Sequence, residues 1–120
     1  MKTILIVDDN LPSRELIRTV LEQCGYAVAE AADGREGVRM ALHARPDLIL
    51  MDLQMPTLDG FGMLAEIRGD SRFAGLPVVA LTANAMQGDR EKALEAGFTS
   101  YLSKPVALAT LRGEIARLLP

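Results

Sequence analysis

The stretch LILMD, residues 48–52, consists of four apolar residues followed by an aspartate. Strands of a parallel sheet that is covered on both faces are continuous runs of Val, Ile and Leu, so this stretch predicts a central strand of such a sheet. Three other runs have the same form, each followed by polar residues: Thr3–Val7 by Asp8 and Asp9, Val78–Leu81 by Thr82, and Tyr101–Ser103 by Lys104 and Pro105. Because ligands of open α/β sheets bind at the carboxyl ends of the strands, the four runs predict one polar site there.

Segments with helical periodicity alternate with the apolar runs, and a short second strand is expected at Ala27–Ala31. This alternation predicts a parallel sheet covered by helices. We expect Asn10 to cap the first helix, Cys24 to pack near its end, and Leu94 to lie on the buried side of the fourth helix. We predict one doubly wound α/β domain over residues 1–120, with five strands, a polar connection at 69–77, and five helices at about residues 11–24, 33–44, 61–68, 86–96 and 108–119.

Composition excludes several classes of function. The net charge of −3 argues against nucleic acid as a direct partner, because nucleic-acid-binding modules usually carry a basic face. No apolar stretch approaches the length that a bilayer requires. The single cysteine excludes an internal disulfide and favours a reducing, cytoplasmic location.

The three aspartates predict a metal site. If their strands are neighbours, Asp8, Asp9 and Asp52 lie close together, and two like charges about 4 Å apart repel by roughly 4 kcal/mol at a surface-like dielectric. Either one carboxyl pKa rises or a divalent cation occupies the cluster. Mg²⁺ suits oxygen ligands and leaves positions for water and phosphate. Lys104 adds a positive charge and Thr82 a hydroxyl donor.

Asp52 is the candidate reacting group. A carboxylate is ionised at neutral pH and attacks without a general base, which explains why the site needs no histidine. Attack on phosphorus gives an acyl phosphate. Mg²⁺ and Lys104 then neutralise the charge that builds on the phosphoryl oxygens.

Four motifs together resemble the receiver domains of two-component response regulators. They are the Asp8–Asp9 pair, LILMDLQMPTLDG at 48–60, LTANA at 81–85 and YLSKP at 101–105, and the resemblance runs essentially from end to end. It implies a flavodoxin-like sheet with strand order 2-1-3-4-5 and five flanking helices. It also implies phosphoryl transfer from a histidine kinase or histidine phosphotransfer protein, a downstream protein target, and a monomer or a phosphorylation-dependent dimer.

The resemblance assigns roles in metal binding. Asp52 is the implied phosphoacceptor and, with Asp9, a direct Mg²⁺ ligand. Asp8 acts mostly through water, and the main-chain carbonyl of Gln54 is a further ligand. Mn²⁺ is an implied substitute.

It also assigns roles around the phosphoryl group. Lys104, Thr82 and Ala83 are the implied phosphate-binding residues, and the Lys104–Pro105 peptide is expected to be cis. Tyr101 turns inward in response to Thr82. The family varies its dephosphorylation rate at the positions held here by Gln54 and Asn84, both neutral amides.

Two surfaces follow from the resemblance and from position around the site. The switching surface is expected at about residues 84–112. The phosphodonor is expected to dock on Leu11, Pro12, Arg14, Pro105 and Val106.

Other interpretations stay open at this stage. Asp8 and Asp9 could cap the first helix, and Tyr101 could be ordinary packing. The chain is either a single-domain regulator or a receiver cut from a larger protein such as a hybrid histidine kinase. An Mg²⁺-dependent phosphatase with an aspartate nucleophile would need an acid/base carboxylate where Gln54 stands. A flavodoxin-like cofactor binder would need aromatic or glycine-rich strand ends.

Overall fold

The apolar runs form one parallel sheet in the computed structural model, which describes residues 1–83 and 89–120. Its strands are β1 (Thr3–Val7), β2 (Ala27–Ala31), β3 (Leu48–Asp52), β4 (Val78–Thr82) and β5 (Ser100–Ser103). Their spatial order is β2-β1-β3-β4-β5 and every neighbouring pair is parallel. The predicted doubly wound, flavodoxin-like order is confirmed.

The helices follow the strands and begin at side-chain caps where the sequence supplies them. They are α1 (Leu11–Gln23), α2 (Gly34–Ala44), α3 (Gly60–Arg68), α4 (Asp89–Ala96) and α5 (Leu108–Leu118). Asn10, Asp33 and Asp59 each accept a hydrogen bond from a backbone N–H in the first turn of α1, α2 and α3. The predicted start of the fourth helix at residue 86 lies outside the described residues. Of the helices described, none combines the length and apolar character needed to cross a bilayer.

Each face of the sheet has its own apolar core. Ile17 and Leu21 of α1 pack with Leu111 and Ile115 of α5 on one face. The opposite face is covered by α2, α3 and α4 through buried residues such as Met63. Residues of β1 and β3 contribute alternately to the two cores, which is why both strands are apolar throughout.

Three predictions about burial or local structure are wrong. Cys24 is exposed because it is the last residue of the helical turn, and Tyr26 packs against the core just beyond it. Leu94 is exposed whereas Ala93 is buried, since adjacent helix residues point about 100° apart. The connection at 69–77 is not merely polar: it contains a 3-10 turn at Ser71–Phe73, and Phe73 is buried.

Candidate functional site

Strand register brings the predicted site residues to one end of the sheet. Val7, the last residue of β1, pairs with Met51, so Asp8 and Asp52 follow on neighbouring strands. Asp52 in turn pairs with Leu81, the residue before Thr82, and Thr82 pairs with Ser103. The polar residues at the ends of four strands are therefore adjacent in space.

Asp8, Asp9 and Asp52 form an acidic cluster. One carboxylate oxygen from each lies within 4.8 Å of the others. Asp8 and Asp52 are buried and Asp9 is exposed. Backbone N–H groups orient the two buried carboxylates: Asn10 donates to Oδ1 of Asp8 at 2.9 Å, and Gln54 donates to Oδ1 of Asp52 at 3.0 Å. The cluster therefore has fixed inner carboxylates and one outer carboxylate that faces water.

Lys104 joins the two buried carboxylates. Its Nζ atom lies 2.8 Å from Oδ2 of Asp8 and 3.0 Å from Oδ2 of Asp52. Its backbone N–H donates to the carbonyl oxygen of Thr82 at 2.7 Å, and the Lys104–Pro105 peptide is cis, as the resemblance implied. The ammonium group thus occupies the space between carboxylates that would otherwise repel each other.

The pKa values of this pair are shifted in the same direction by different causes. Burial raises the pKa of Asp52 above 3.8, and the hydrogen bonds from Gln54 and Lys104 offset only part of the rise. Burial by itself lowers the pKa of Lys104, but hydrogen bonds to Asp8 and Asp52 outweigh it, so that pKa is raised above 10.5. Lys104 is consequently a permanent cation at neutral pH.

A cavity of about 810 Å³ opens beside the cluster. Asp9, Asp52, Gln54 and Lys104 give the cavity its polar lining near the cluster, and Ala83 also lines it. Its apolar part lies between α1 and the β5–α5 loop and includes Leu16, Pro105 and Val106. This end of the sheet is therefore open to solvent between α1 and the β5–α5 loop.

The remaining predicted residues lie around the cluster. Thr82 is buried at the end of β4. Tyr101 is half-buried, its hydroxyl oxygen is buried, and its side chain packs against the core beneath α2, α3 and α4. Asn84, predicted to affect dephosphorylation, lies outside the described residues.

The alternative interpretation, in which Asp8 and Asp9 cap the first helix, is wrong. Asn10 caps α1, and its side-chain oxygen accepts from the N–H of Ser13 at 2.9 Å. Asp8 instead directs its two oxygens to the Asn10 N–H and to Lys104.

Sequence reasoning missed the contact between Arg14 and the backbone of the acidic pair. Nη1 of Arg14 donates to the carbonyl oxygen of Asp8 at 2.7 Å, whereas the sequence interpretation placed Arg14 only on a docking surface. Arg14 lies one turn into the helix that follows Asp8 and Asp9, and this position is the sequence signal that could have predicted the contact.

The donor set fits Mg²⁺. The cluster offers three carboxylates and no nitrogen or sulfur ligand, and Mg²⁺ prefers oxygen ligands while retaining several waters. The exposed side of Asp9 and the adjoining cavity leave room for waters and a phosphoryl group.

Residues 4–116 match the family described as the response regulator receiver domain. The chain belongs to this family. Receiver domains are signalling modules of two-component systems that work with histidine kinases or phosphotransfer proteins. The family predicted from the four motifs is confirmed.

Relatives of this receiver domain include both short and longer regulators. The chain is 37% identical over 107 residues to the polar-differentiation response regulator DivK of Brucella anthropi, covering 89% of this chain and 87% of DivK. It is also 37% identical to the DNA-binding dual master transcriptional regulator RpaA of Synechocystis sp., covering 99% of this chain but 49% of RpaA.

Solved receiver structures share the fold. The chemotaxis protein CheY4 of Vibrio cholerae superimposes with a TM-score of 0.92 at 33% identity over 98% of each chain. The receiver domain of the sensor histidine kinase PA1611 of Pseudomonas aeruginosa PAO1 is 43% identical, with a TM-score of 0.90 over 98% of this chain and 97% of that one. The latter structure has a magnesium ion coordinated in its active-site cleft.

Proposed function

We propose that this receiver domain takes a phosphoryl group from a phosphohistidine partner onto Asp52 in an Mg²⁺-dependent reaction. The observation that carries the proposal is the position of Lys104, whose Nζ contacts both Asp8 and Asp52. The arrangement supplies a carboxylate nucleophile and a cation for the product at the same point.

The chain's own residues perform the transfer as follows. An Oδ atom of Asp52 attacks phosphorus, the P–N bond to the donor imidazole breaks, and its electron pair stays on the imidazole nitrogen. Lys104 neutralises charge on the phosphoryl oxygens, and Thr82 and Ala83 donate to them. The Gln54 N–H keeps the Asp52 carboxylate oriented through Oδ1.

Mg²⁺ would be held by Asp9 and Asp52 directly, by Asp8 mostly through water, and by the main-chain carbonyl of Gln54. When bound, it supplies further positive charge to the transferred group. Mn²⁺ would substitute, since it also accepts oxygen ligands.

The docking surface for the donor is proposed on α1 and the β5–α5 loop. Leu11 and Leu16 are about half exposed on α1, and Leu16 lines the same cavity as Pro105 and Val106. Together with Pro12, these side chains offer an apolar platform beside the acidic cluster. A helix that presents a phosphohistidine would cover this platform and place phosphorus near Asp52.

We propose that phosphorylation changes Thr82 and Tyr101 and, through them, the switching surface predicted at about residues 84–112, of which residues 84–88 lie outside the described part of the chain. Adding roughly two negative charges next to Lys104 gives the Thr82 hydroxyl a new acceptor. The half-buried Tyr101 side chain, one strand away, would then adjust its packing. Gln54 is exposed at the cavity, where it would affect the access of water to the acyl phosphate.

Intact mass after incubation with Mg²⁺ and acetyl phosphate tests the reaction. We expect one phosphoryl adduct, lost in Asp52→Asn and in the presence of a chelator. Asp59→Asn is the matched control, because Asp59 lies in the loop after β3 and Asn caps α3 equally well. An adduct that persists in Asp52→Asn contradicts the proposal. Repeated release of phosphate from many monoesters would favour the phosphatase alternative.

The metal site is tested separately by Mg²⁺ titration. At 100 times its dissociation constant, Mg²⁺ should stabilise the folded protein by about 2.7 kcal/mol. Asp9→Ala should remove most of this stabilisation, since it deletes the exposed ligand without disturbing Lys104. Unchanged Mg²⁺ affinity in Asp9→Ala would rule out the ligand set.

A further inference from the structure

The peptide that links Asp8 to Asp9 lies beyond the sheet ladder. β1 ends at Val7, and α1 begins only at Leu11. The N–H of Asp8 still donates to the carbonyl of Ala31 at 3.1 Å, but the Asp8 carbonyl is held by a side chain: Nη1 of Arg14 donates to it at 2.7 Å. The orientation of this peptide therefore depends on Arg14.

Arg14 is itself fixed on its other side. Its Nε donates to Oε1 of Glu30 at 2.9 Å, and its side chain is only 14% exposed. Glu30 belongs to β2, and its second oxygen accepts from Nη1 of Arg18 at 2.5 Å. One guanidinium group thus bridges a strand side chain and the backbone of the acidic pair, a geometry that its planar fork allows and that a lysine cannot reproduce.

We infer that Arg14 is a positioning residue for the metal site, an inference that rests on the proposed Mg²⁺ binding by Asp8 and Asp9. The Asp8 carbonyl and the Asp9 nitrogen share one rigid peptide plane that runs from the Cα atom of Asp8 to that of Asp9. A hydrogen bond that holds this carbonyl therefore restricts rotation about the two adjoining backbone bonds, on which the directions of both side chains depend. Groups that orient metal ligands affect metal affinity without touching the ion.

Charge and position predict opposite effects when Arg14 is changed. A cation near a Mg²⁺ site repels the ion, so its removal in Arg14→Gln would tighten Mg²⁺ binding if charge were all that mattered. Loss of the hydrogen bond to Asp8 would instead weaken binding. Arg14→Lys keeps the charge but loses the fork, and positioning predicts weaker binding there too.

The test is Mg²⁺ titration by calorimetry of the wild type, Arg14→Gln, Arg14→Lys and the control Arg18→Gln. Arg18 contacts the same Glu30 from the same helix, and its guanidinium is paired with Glu30 and Glu22. We expect the Mg²⁺ dissociation constant to rise about tenfold in both Arg14 variants and to stay within about twofold in Arg18→Gln.

A second readout separates positioning from simple loss of folded protein. With acetyl phosphate, the Arg14 variants should need about tenfold more Mg²⁺ for half-maximal phosphorylation but should reach the wild-type rate at saturation. Wild-type Mg²⁺ affinity in Arg14→Lys, or tighter binding in Arg14→Gln, overturns the inference. If the wild type binds Mg²⁺ but is not phosphorylated, the proposed function fails while the calorimetry still decides the role of Arg14.

Discussion

Nζ of Lys104 lies 3.0 Å from Oδ2 of Asp52, although the two residues are 52 positions apart in the chain. Lys104 directly follows β5, and β4 lies between β5 and β3, so its side chain must reach across the end of β4. The contact places a cation on the carboxylate proposed to react, and the same ammonium contacts Asp8. Lys104 would therefore compete with the proposed Mg²⁺ for the charge of the same two carboxylates.

Replacing Lys104 should affect metal binding and phosphorylation in opposite directions. In Lys104→Met, the competing cation is gone, so Mg²⁺ should bind several-fold more tightly. Phosphorylation by acetyl phosphate should slow by about 100-fold, since the phosphoryl oxygens lose a charged partner. Calorimetry and the rate of adduct formation measure the two effects, with exposed Lys92→Met as control. Weaker Mg²⁺ binding in Lys104→Met would contradict this view.

Two aspartates should affect stability with opposite dependence on pH. The raised pKa of Asp52 means that its protonated form favours folding, so its stabilising contribution is present below 3.8 and is lost as pH rises through the folded pKa. Without Mg²⁺, Asp52→Asn should therefore be more stable than the wild type at neutral pH, and the gain should shrink on acidification.

The pKa of Asp70 is shifted in the opposite direction, so its contribution to stability has the opposite pH dependence. The Arg72 side-chain hydrogen bond, aided by the Arg72 N–H, lowers the Asp70 pKa to about 2. Its stabilising contribution is present above pH 3.8 and is lost as pH falls toward 2. Asp70→Asn should therefore be less stable than the wild type at neutral pH, and the difference should disappear near pH 2. Urea unfolding across this range measures both variants. If the stabilities of Asp52→Asn and Asp70→Asn, relative to the wild type, changed with pH in the same direction, these two carboxyl groups would not be the cause of the pH dependence.

Arg68 should be a major source of stability among the arginines. Its Nη1 donates to the carbonyls of Phe73 at 3.0 Å and Leu76 at 2.8 Å, and its Nη2 donates to that of Gly97 at 3.1 Å. Arg68→Ala leaves these acceptors without their charged donor and should lower the free energy of unfolding by about 2–3 kcal/mol.

The exposed ion pair between Arg35 and Glu66 provides the comparison for Arg68. Arg35→Ala should cost no more than about 1 kcal/mol, because exposed pairs contribute little. Urea unfolding of both variants tests the difference, and equal losses would show that the contacts of Arg68 with the backbone are not what stabilises the fold.

Two glycines in helices should respond oppositely to substitution by alanine. A Cβ atom at Gly34 would lie 2.0 Å from the carbonyl oxygen of Leu58, so Gly34→Ala must displace the loop after β3 and should cost about 3 kcal/mol. A Cβ atom at Gly113 meets no heavy atom within 4 Å, so Gly113→Ala should stabilise α5 by about 0.5–1 kcal/mol. Thermal unfolding of the two variants measures whether stability falls in Gly34→Ala and rises in Gly113→Ala. Unchanged stability in Gly34→Ala would mean that the loop after β3 can move at little cost in free energy.

The fold could be predicted from sequence because its signals are local. Continuous apolar runs such as LILMD and the intervening helical periodicity specify a buried parallel sheet, and Asn10 and Gly25 mark the ends of α1. The burial of single side chains was less predictable. Leu94 fits a helical pattern, yet it is exposed, because the orientation of α4 on the sheet selects Ala93 and not its neighbour to face inward. Cys24 is exposed because α1 ends at Gln23, one residue before it.

The sequence by itself determined the order of strands and helices, the family, and the identity of the polar residues at the strand ends. Only the tertiary structure decided how these residues meet. Lys104 bridges Asp8 and Asp52, and Arg14 holds the Asp8 carbonyl, because parallel register and crossover connections bring distant segments to one end of the sheet. Such contacts depend on distances and directions between strands, which no local pattern of residue types encodes.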